Sequence, residues 1–290
     1  MESGLVYALV AAGIWGTYLF ALKRYFAGIH GAVLTVFVNA AAIAWYLPYA
    51  VGTGDGMPAF PTLDTAALAV LAGTIVIGGA GFLLSVRALA VGDVSYVAPI
   101  AKIVPVFVVP IEVLGLGASL DPTAVVGIGV ATTAVYLANY EGGHLLAPLR
   151  RAVHARPAQL AVVSAMLYAV SDVGRRLVLD GFTFPTKVWV PTFLGGVAIA
   201  VLPLALRRWP SEGVRPHLPK FVLAGSGVAV GEHVTALAFA SAPASIVSTL
   251  VNAQAIVAVL MGCVLLDEPG LRRRLGAAVL AVVGVGLIAI

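Results

Sequence analysis

Long apolar segments, each separated from the next by a short polar turn, make up almost the whole chain. A bilayer core takes about 20 apolar helical residues to cross, and segments of that length recur from end to end. The turns between them contain Gly, Pro and charged residues, which typically end helices. The pattern therefore predicts an all-α membrane protein with ten transmembrane helices. The predicted spans are 3–22, 31–50, 66–88, 94–116, 122–140, 158–179, 187–206, 219–240, 243–266 and 271–290.

A short sequence recurs at the same junction in both halves of the chain. Residues 88–95 (ALAVGDVS) resemble residues 238–245 (AFASAPAS), 150 positions later, and each copy joins the third span of its half to the fourth. Lys23 likewise pairs with Arg176 at an offset of 153. Because five spans per half is an odd number, the two halves cross the membrane in opposite senses, as two inverted five-helix repeats. Such symmetry is typical of alternating-access transporters, whose substrate site lies between the repeats near the bilayer midplane.

The domain organisation follows from these repeats. The first five-helix repeat is predicted over 1–147, a basic cytoplasmic linker over 148–157 and the second five-helix repeat over 158–290.

Composition narrows the class of protein and its partners. The chain is 61% hydrophobic and 10% charged, against about 25% charged for soluble domains, so lipid is expected to cover most of its surface. A single cysteine excludes an internal disulfide and any Cys-based metal set. The Arg pairs adjoin apolar spans without interleaved aromatics, which argues against nucleic acid as a partner. We expect a small-molecule substrate, the lipid bilayer and protons as partners, with no cofactor and no metal. Whether the protein forms a homodimer stays open.

Lysine and arginine are distributed unevenly among the loops. Of the 17, thirteen fall in or beside the loops after odd-numbered spans, whereas three, Arg175, Arg176 and Lys187, follow even-numbered spans. The positive-inside rule then predicts a multi-pass protein of the plasma (inner) membrane with both termini outside. The first span is expected to be retained, because an acidic start at residues 1–3 does not suit a signal peptide.

Polar side chains near the middle of spans are the candidate site residues. An ionisable group at the bilayer centre costs at least about 2.5 kcal/mol on insertion scales and is expected to face the protein interior or a water-filled cavity. The central polar residues are Asn39, Lys102, Tyr168, Glu232, His233, Asn252 and Gln254. Glu112 and Asp172 lie nearer the ends of their spans and are expected at a wet rim.

Lys102 and Glu232 are the central charged candidates. Lys102 can anchor a substrate carboxylate or phosphate, act as counter-ion to Glu232, or form a purely structural ion pair with it. Glu232 is the candidate for proton coupling, because a desolvated carboxylate can take and release a proton. His233 can relay that proton, or simply form a hydrogen bond with a neighbouring helix.

Asn252 and Gln254 project about 200° apart on an ideal helix. We therefore expect only one of them to face a central cavity and the other to hold neighbouring helices together.

Several short motifs resemble the EamA-like families of the drug/metabolite transporter superfamily. Residues 243–245 (PAS) open span 9 and 267–269 (DEP) close it, while Trp15 precedes a basic residue, Lys23, in span 1. The first half departs from the family pattern, because residues 117–119 (GAS) stand in place of the acidic turn. The resemblance implies a secondary transporter with a cavity lined mainly by spans 1, 3, 4, 6, 8 and 9. Trp15 and Tyr18 of span 1 are candidates for that lining.

Two transport functions and one enzymatic function are weighed. The leading hypothesis is a transporter or exporter of small metabolites such as amino acids, because Lys102 and Glu232 together suit a zwitterion. The alternative is a proton-coupled exporter of cationic drugs, in which Glu232 alone is essential. A membrane-embedded enzyme is disfavoured because the chain has no H-E-x-x-H and no G-x-S-x-G motif.

Overall fold

All regular structure in the described part of the chain is helical. The computed structural model describes residues 2–54, 56–101, 103–104, 106–108, 110–111, 122–123, 126–127, 129–130, 133, 154–210, 213–242, 244–267 and 270–288. Lys102, Glu112, most of predicted span 5 and most of the linker lie outside these residues.

The described helices begin and end close to the predicted spans, to within about three residues wherever one helix represents one span. They are α1 (Glu2–Tyr25), α2 (Gly31–Gly52), α3 (Thr65–Val91), α4 (Val94–Ala101), α5 (Arg156–Arg176), α6 (Thr186–Arg207), α7 (Leu218–Ser241), α8 (Ala244–Asn252), α9 (Gln254–Leu265) and α10 (Leu271–Ile288). A single π-helical turn, Leu177–Gly181, extends α5. By length and composition, α1, α2, α3, α6 and α7 are long and apolar enough to cross a membrane.

Helices pack in pairs that repeat between the two halves. The helix α3 lies along α5, and α1 lies along α7. These pairs are equivalent in an inverted repeat. At one contact Gly81 adjoins the backbone of Tyr168, and at the equivalent contact Gly231 adjoins the ring of Trp15. A Cβ added to Gly231 would lie 3.1 to 3.2 Å from Ile14 and Trp15, closer than normal contact, so this site favours the absence of a side chain. One added to Gly81 would lie 3.4 to 3.5 Å from its neighbours, in ordinary van der Waals contact.

Basic side chains at the two ends of the bundle also occupy equivalent positions. Lys23 Nζ donates to the carbonyls of Leu89 and Gly92 at the end of α3, each at 2.9 Å. Arg176 donates from a terminal nitrogen to the carbonyl of Phe239 at the end of α7, at 2.6 Å. A cation is favourable at the C-terminal carbonyls of a helix. We call these contacts the Lys23 latch and the Arg176 latch. They lie at opposite ends of the bundle, because α5 starts beside Gly92 and runs about 30 Å to Arg176.

The fourth helix of each half is interrupted at the same place. After α4, the Ile103 amide bonds to the Ile100 carbonyl and the Val106 amide to the Ile103 carbonyl. After α8, the equivalent bonds join Ala253 to Leu250 and Ile256 to Ala253. All four bonds span three residues instead of four.

Predicted span 9 is therefore two helices, α8 and α9, instead of one. A side-chain contact accompanies the break. The Asn252 side-chain amide donates to the Ser248 carbonyl at 2.6 Å, the acceptor that a regular helix reserves for the Asn252 backbone. Asn side chains compete with helices in this way. Discontinuous helices at corresponding positions of the two halves typically line a transporter's binding site.

Candidate functional site

A cavity of about 140 Å³ lies where the helix pairs of the two halves face one another. Its described lining comes from α1, α2, α3, α5, α6, α7, α8 and α9, with Val104 from the segment after α4. The helices α2 and α6 therefore contribute in addition to the spans that the family resemblance implied. The lining combines aromatic rings with a few polar groups, which is common in small-molecule sites.

The cavity brings together seven of the predicted site residues. They are Trp15, Tyr18, Asn39, Tyr168, Glu232, Asn252 and Gln254. Among them, the Trp15 indole donates to the Thr235 hydroxyl at 2.9 Å, Asn39 donates to the Leu194 carbonyl at 3.0 Å, and Asn252 donates to Ser248.

Asn252 and Gln254 both line the cavity, which corrects the expectation that only one of them could. That expectation assumed a continuous helix with about 100° between successive residues. The break at Ala253 ends α8 at Asn252 and starts α9 at Gln254, so the ideal angle does not apply between them.

The structure separates His233 from the cavity. Its ring contacts two tyrosines of α2: Nδ1 lies 2.9 Å from the Tyr46 hydroxyl and Nε2 lies 3.3 Å from the Tyr49 hydroxyl. Glu232, the preceding residue, faces the cavity, since adjacent helical residues differ by about 100°. His233 is thus a histidine bonded to a neighbouring helix, which was the second of the two hypotheses for this residue.

Arg175 is the functional candidate that the sequence analysis missed. The sequence pattern places it among the basic residues of the loops. In the structure it lies in the last turn of α5, its side chain is 8% exposed, and it lines the cavity. A signal was available in the sequence: Tyr168, Asp172 and Arg175 are spaced i, i+4 and i+7, which puts them on one helix face. Because Arg175 adjoins Arg176 near the end of a predicted span, the two residues together resemble a basic turn between helices.

Glu232 is bound by two donors from other helices. One terminal nitrogen of Arg175 lies 2.9 Å from Glu232 Oε1, and the Trp189 indole donates to the same oxygen at 2.9 Å. Residue Glu232 is only 3% exposed. Removing one partner of a buried pair typically costs about 3–5 kcal/mol, because the other charge stays buried. Among the described residues, the cation paired with Glu232 is Arg175. Lys102, the counter-ion considered from the sequence, lies outside these residues.

Aromatic rings surround the Arg175 guanidinium. Its central carbon lies 4.6 Å from the ring centre of Phe193, and 5.6 Å from those of Trp189 and Phe239. The rings of Trp189 and Phe193 stack on each other, with centres 5.1 Å apart. Ring faces attract cations at such distances. Arg175 Nε is buried without a hydrogen-bond partner in the described part of the protein, which typically costs about 1–3 kcal/mol.

Asp172 adds a second carboxylate to the cavity, one turn before Arg175. The Ser248 hydroxyl donates to Asp172 Oδ2 at 2.9 Å. The ionisable lining thus includes acidic and basic groups on neighbouring turns, an arrangement that can accept both charges of a zwitterion. Among the described residues, no group of three His, Cys, Asp or Glu side chains could hold a metal ion.

Comparisons with known proteins agree with this architecture. The sequence model of the EamA-like transporter family matches residues 2–140 and 156–290, one match in each half. A search of curated proteins found no match. A solved structure, described only as "Crystal structure of protein", shares 18% identity with this chain. It aligns over 99% of this chain and 98% of its own, with a TM-score of 0.70. At this identity the likeness shows the fold alone.

Proposed function

The chain belongs to the EamA-like transporter family, and from this membership and the cavity we propose that it is a secondary transporter of small metabolites such as amino acids. The family makes it an integral membrane transporter of small molecules. The finer proposal is that ten spans, as two inverted repeats, carry the substrate by alternating access through the central cavity. Trp15, Tyr18, Asn39, Tyr168, Glu232, Asn252 and Gln254 are proposed to contact the substrate.

One observation carries the choice of substrate class: Arg175, Glu232 and Asp172 line the same cavity. A zwitterion places a carboxylate and an ammonium group a few ångströms apart, and this lining offers partners for both. A cavity of about 140 Å³ also suits a small metabolite. Pockets for drug-sized ligands are about 300–1,000 Å³.

Alternating access is supported by the pair of equivalent latches. The Lys23 latch and the Arg176 latch join equivalent helices at opposite ends of the bundle, so opening one end need not disturb the other. The Lys23 end has an additional contact, because Arg274 on α10 binds Asp93 at 2.9 Å and also Ser95. Pro243 stands at the position equivalent to Asp93 and has no carboxylate for such a contact.

The cationic-drug alternative has one observation in its favour, the presence of two carboxylates, Asp172 and Glu232, in the cavity. However, the Glu232 carboxylate is bound to Arg175 and Trp189. A cation must therefore compete with Arg175 and Trp189 for Glu232 Oε1. A metabolite with its own carboxylate can take the place of Glu232 at Arg175, and we favour that class.

The proposed orientation places the Lys23 end in the cytoplasm and both termini outside the plasma membrane. Arg175 lies in the protein interior and not in an outer loop, so the outer loops have one cation fewer than the sequence predicted. The positive-inside bias is therefore stronger. A reporter that fluoresces only in the cytoplasm, fused to the C-terminus, should stay dark. Fluorescence from that fusion would contradict the proposed orientation.

Uptake into proteoliposomes tests the proposed function. The panel holds labelled amino acids, simple carboxylic acids and cationic drugs, with and without a pH gradient. We expect saturable uptake of amino acids by the wild type, and loss of gradient-driven accumulation in Glu232→Gln. Asp180→Asn is the matched control, because Asp180 forms an arginine pair outside the cavity. If no panel member is transported, the proposed function is wrong; if only cationic drugs are transported, the alternative holds.

A further inference from the structure

Glu232 occupies a site that has the chemistry of a carboxylate receptor. Its Oε1 accepts from a guanidinium nitrogen of Arg175 and from the indole nitrogen of Trp189, both at 2.9 Å. Charge-assisted hydrogen bonds from arginine are the usual means of holding a carboxylate. The two donors come from α5 and α6, whereas Glu232 comes from α7. The receptor therefore belongs to helices other than the one that carries its occupant.

The receptor has hydrogen-bonding capacity beyond what Glu232 uses. Arginine presents five N–H groups in one plane and prefers to bind a carboxylate through two parallel bonds. Arg175 Nε is buried and has no acceptor in the described residues. Only one oxygen of Glu232, Oε1, is paired with Arg175 among the described contacts. A carboxylate that takes the place of Glu232 has no backbone attachment and can turn so that both of its oxygens accept from the guanidinium.

The aromatic rings around Arg175 hold the guanidinium in place independently of Glu232. Phe193, Trp189 and Phe239 lie 4.6 to 5.6 Å from its central carbon. Cation–π attraction of this kind remains when the anion leaves. Arg175 can thus stay at the cavity wall and exchange one carboxylate for another.

We infer that Arg175 is the anchor for the carboxylate of the transported substrate, and that Glu232 occupies this anchor in the empty protein until the substrate displaces it. This inference rests on the proposed function and specifies how its central site works. Trp189 donates to the incoming carboxylate as it does to Glu232. The substrate class is thereby narrowed to molecules with a carboxylate, of which amino acids are the small zwitterionic members.

Displacement of Glu232 has a consequence for protons. A carboxylate that leaves its cation while buried in an apolar cavity is strongly disfavoured as an anion. Glu232 therefore takes a proton from water on the side to which the cavity is open, and returns that proton to water when it rebinds Arg175. One carboxylate and one proton enter the site together. A simple carboxylate anion leaves the charge of the cavity unchanged, whereas a zwitterion, whose own charges cancel, adds one positive charge beside the Asp172 carboxylate.

Matched probes test the anchor in the purified full-length protein, reconstituted in nanodiscs. The probes are L-alanine, L-valine and L-phenylalanine, each compared with its amide and with the amine that lacks the carboxyl group. Binding is measured by titration calorimetry, and proton uptake by a pH-sensitive dye in weak buffer. For at least one set we expect wild type to bind the amino acid at least about tenfold more tightly than the amide, with uptake of about one proton.

Two variants give opposite results if the inference holds. Glu232→Gln removes the competing anion while keeping an acceptor for Trp189, so it should bind the amino acid as tightly as wild type or more tightly, without proton uptake. Arg175→Lys keeps the charge but loses the planar donors, so it should lose most of the preference for the acid over the amide. Asp180→Asn should match wild type in both measurements.

The outcomes separate this inference from the proposed function. If wild type transports amino acids but binds acid and amide equally, Arg175 is not the anchor and the transport function stands. Weaker binding of the amino acid by Glu232→Gln would show that Glu232 strengthens substrate binding as an anion, and would overturn the displacement. If wild type transports no member of the uptake panel described above, the proposed function fails as well. Should Arg175→Lys not fold, Glu232→Gln alone decides, through the sign of its affinity change and its proton uptake.

Discussion

Two neighbouring arginines, Arg175 and Arg176, share one helix and differ in almost everything else. Arg175 is inside the cavity wall, paired with Glu232, and both side chains are nearly fully buried. Arg176 lies at the end of the bundle, paired with Asp180, with side-chain exposures of 26% and 51%. A rotation of about 100° between successive residues of a helix separates these two environments.

The comparison shows that the face of the helix on which each arginine lies, and not the residue type, determines what that arginine contacts. Arg176 bonds the end of α7 through the Phe239 carbonyl, which is a structural contact between helix ends. Arg175 meets the ring face of the same Phe239 and presents its charge to the cavity. In the function proposed above, Arg176 therefore serves gating and Arg175 serves binding, although the two side chains are adjacent and chemically identical.

The largest effect is expected from breaking the buried pair. Arg175→Met leaves the Glu232 carboxylate buried without its cation, so the free energy of unfolding should fall by about 3–5 kcal/mol. Denaturant unfolding of the detergent-solubilised protein, followed by circular dichroism, measures this change. A decrease below about 1 kcal/mol would show that the pair is effectively solvated.

Replacing both partners sharpens the same test. The double variant Arg175→Met/Glu232→Met should recover most of the lost stability, because apolar residues of similar size often replace a buried ion pair at little or no cost. The same variant should not bind the amino-acid probes, since no anchor remains. A double variant that is as unstable as the single one would place the cost in packing instead of charge.

A smaller effect is expected from the latches. Arg176→Met and Lys23→Met each remove hydrogen bonds at a helix end, worth about 0.5–1.5 kcal/mol apiece. A bias of about 1 kcal/mol shifts a two-state population about fivefold. Arg176→Met should therefore increase access to the cavity from its own end, and Lys23→Met from the opposite end.

Accessibility labelling measures these shifts. A cysteine placed at Ser85, which lines the cavity, is labelled by a membrane-impermeant reagent from each side of the vesicle, with the native Cys263 replaced by alanine. Equal changes from both sides, or changes in the same direction for both latch variants, would argue against opposed gates.

The smallest effect is expected from the exposed pair. Asp180→Asn removes an i,i+4 ion pair with Arg176, and such pairs contribute about 0.2–0.5 kcal/mol in water. The loss should shrink further in high salt, because exposed charges are screened. A loss above about 1.5 kcal/mol in the same unfolding assay would mean that Asp180 positions Arg176 in its latch.

Helix bounds could be predicted from the sequence wherever an uninterrupted apolar segment folded as one helix. The bounds of α2 and α6, for instance, differ from the predicted spans by no more than about two residues. The break between α8 and α9 could not be predicted this way, because it is a local change of the backbone hydrogen bonds at Ala253 and Ile256. Hydropathy averaged over a span does not report such a change.

The candidate site was predicted in part. Glu232 and Tyr168 line the cavity because polar groups at membrane depth must face the protein interior. Arg175 was missed because a dibasic pair at the end of a span looks like a loop, and its burial depends on Glu232, Trp189 and Phe193. His233 was a candidate proton relay because it follows Glu232 in the chain, and in the structure its ring contacts two tyrosines of α2 instead of the cavity.

The sequence by itself determined that this is a helical membrane protein with an internal repeat, because apolar length and repeated motifs are properties of the chain alone. Only the tertiary structure decided that Glu232 pairs with Arg175, that two interrupted helices adjoin one cavity, and that Arg176 binds the end of α7. Each of these depends on contacts between helices far apart in sequence. The strength of a buried charge depends on what surrounds it, and the surroundings exist only in the folded protein.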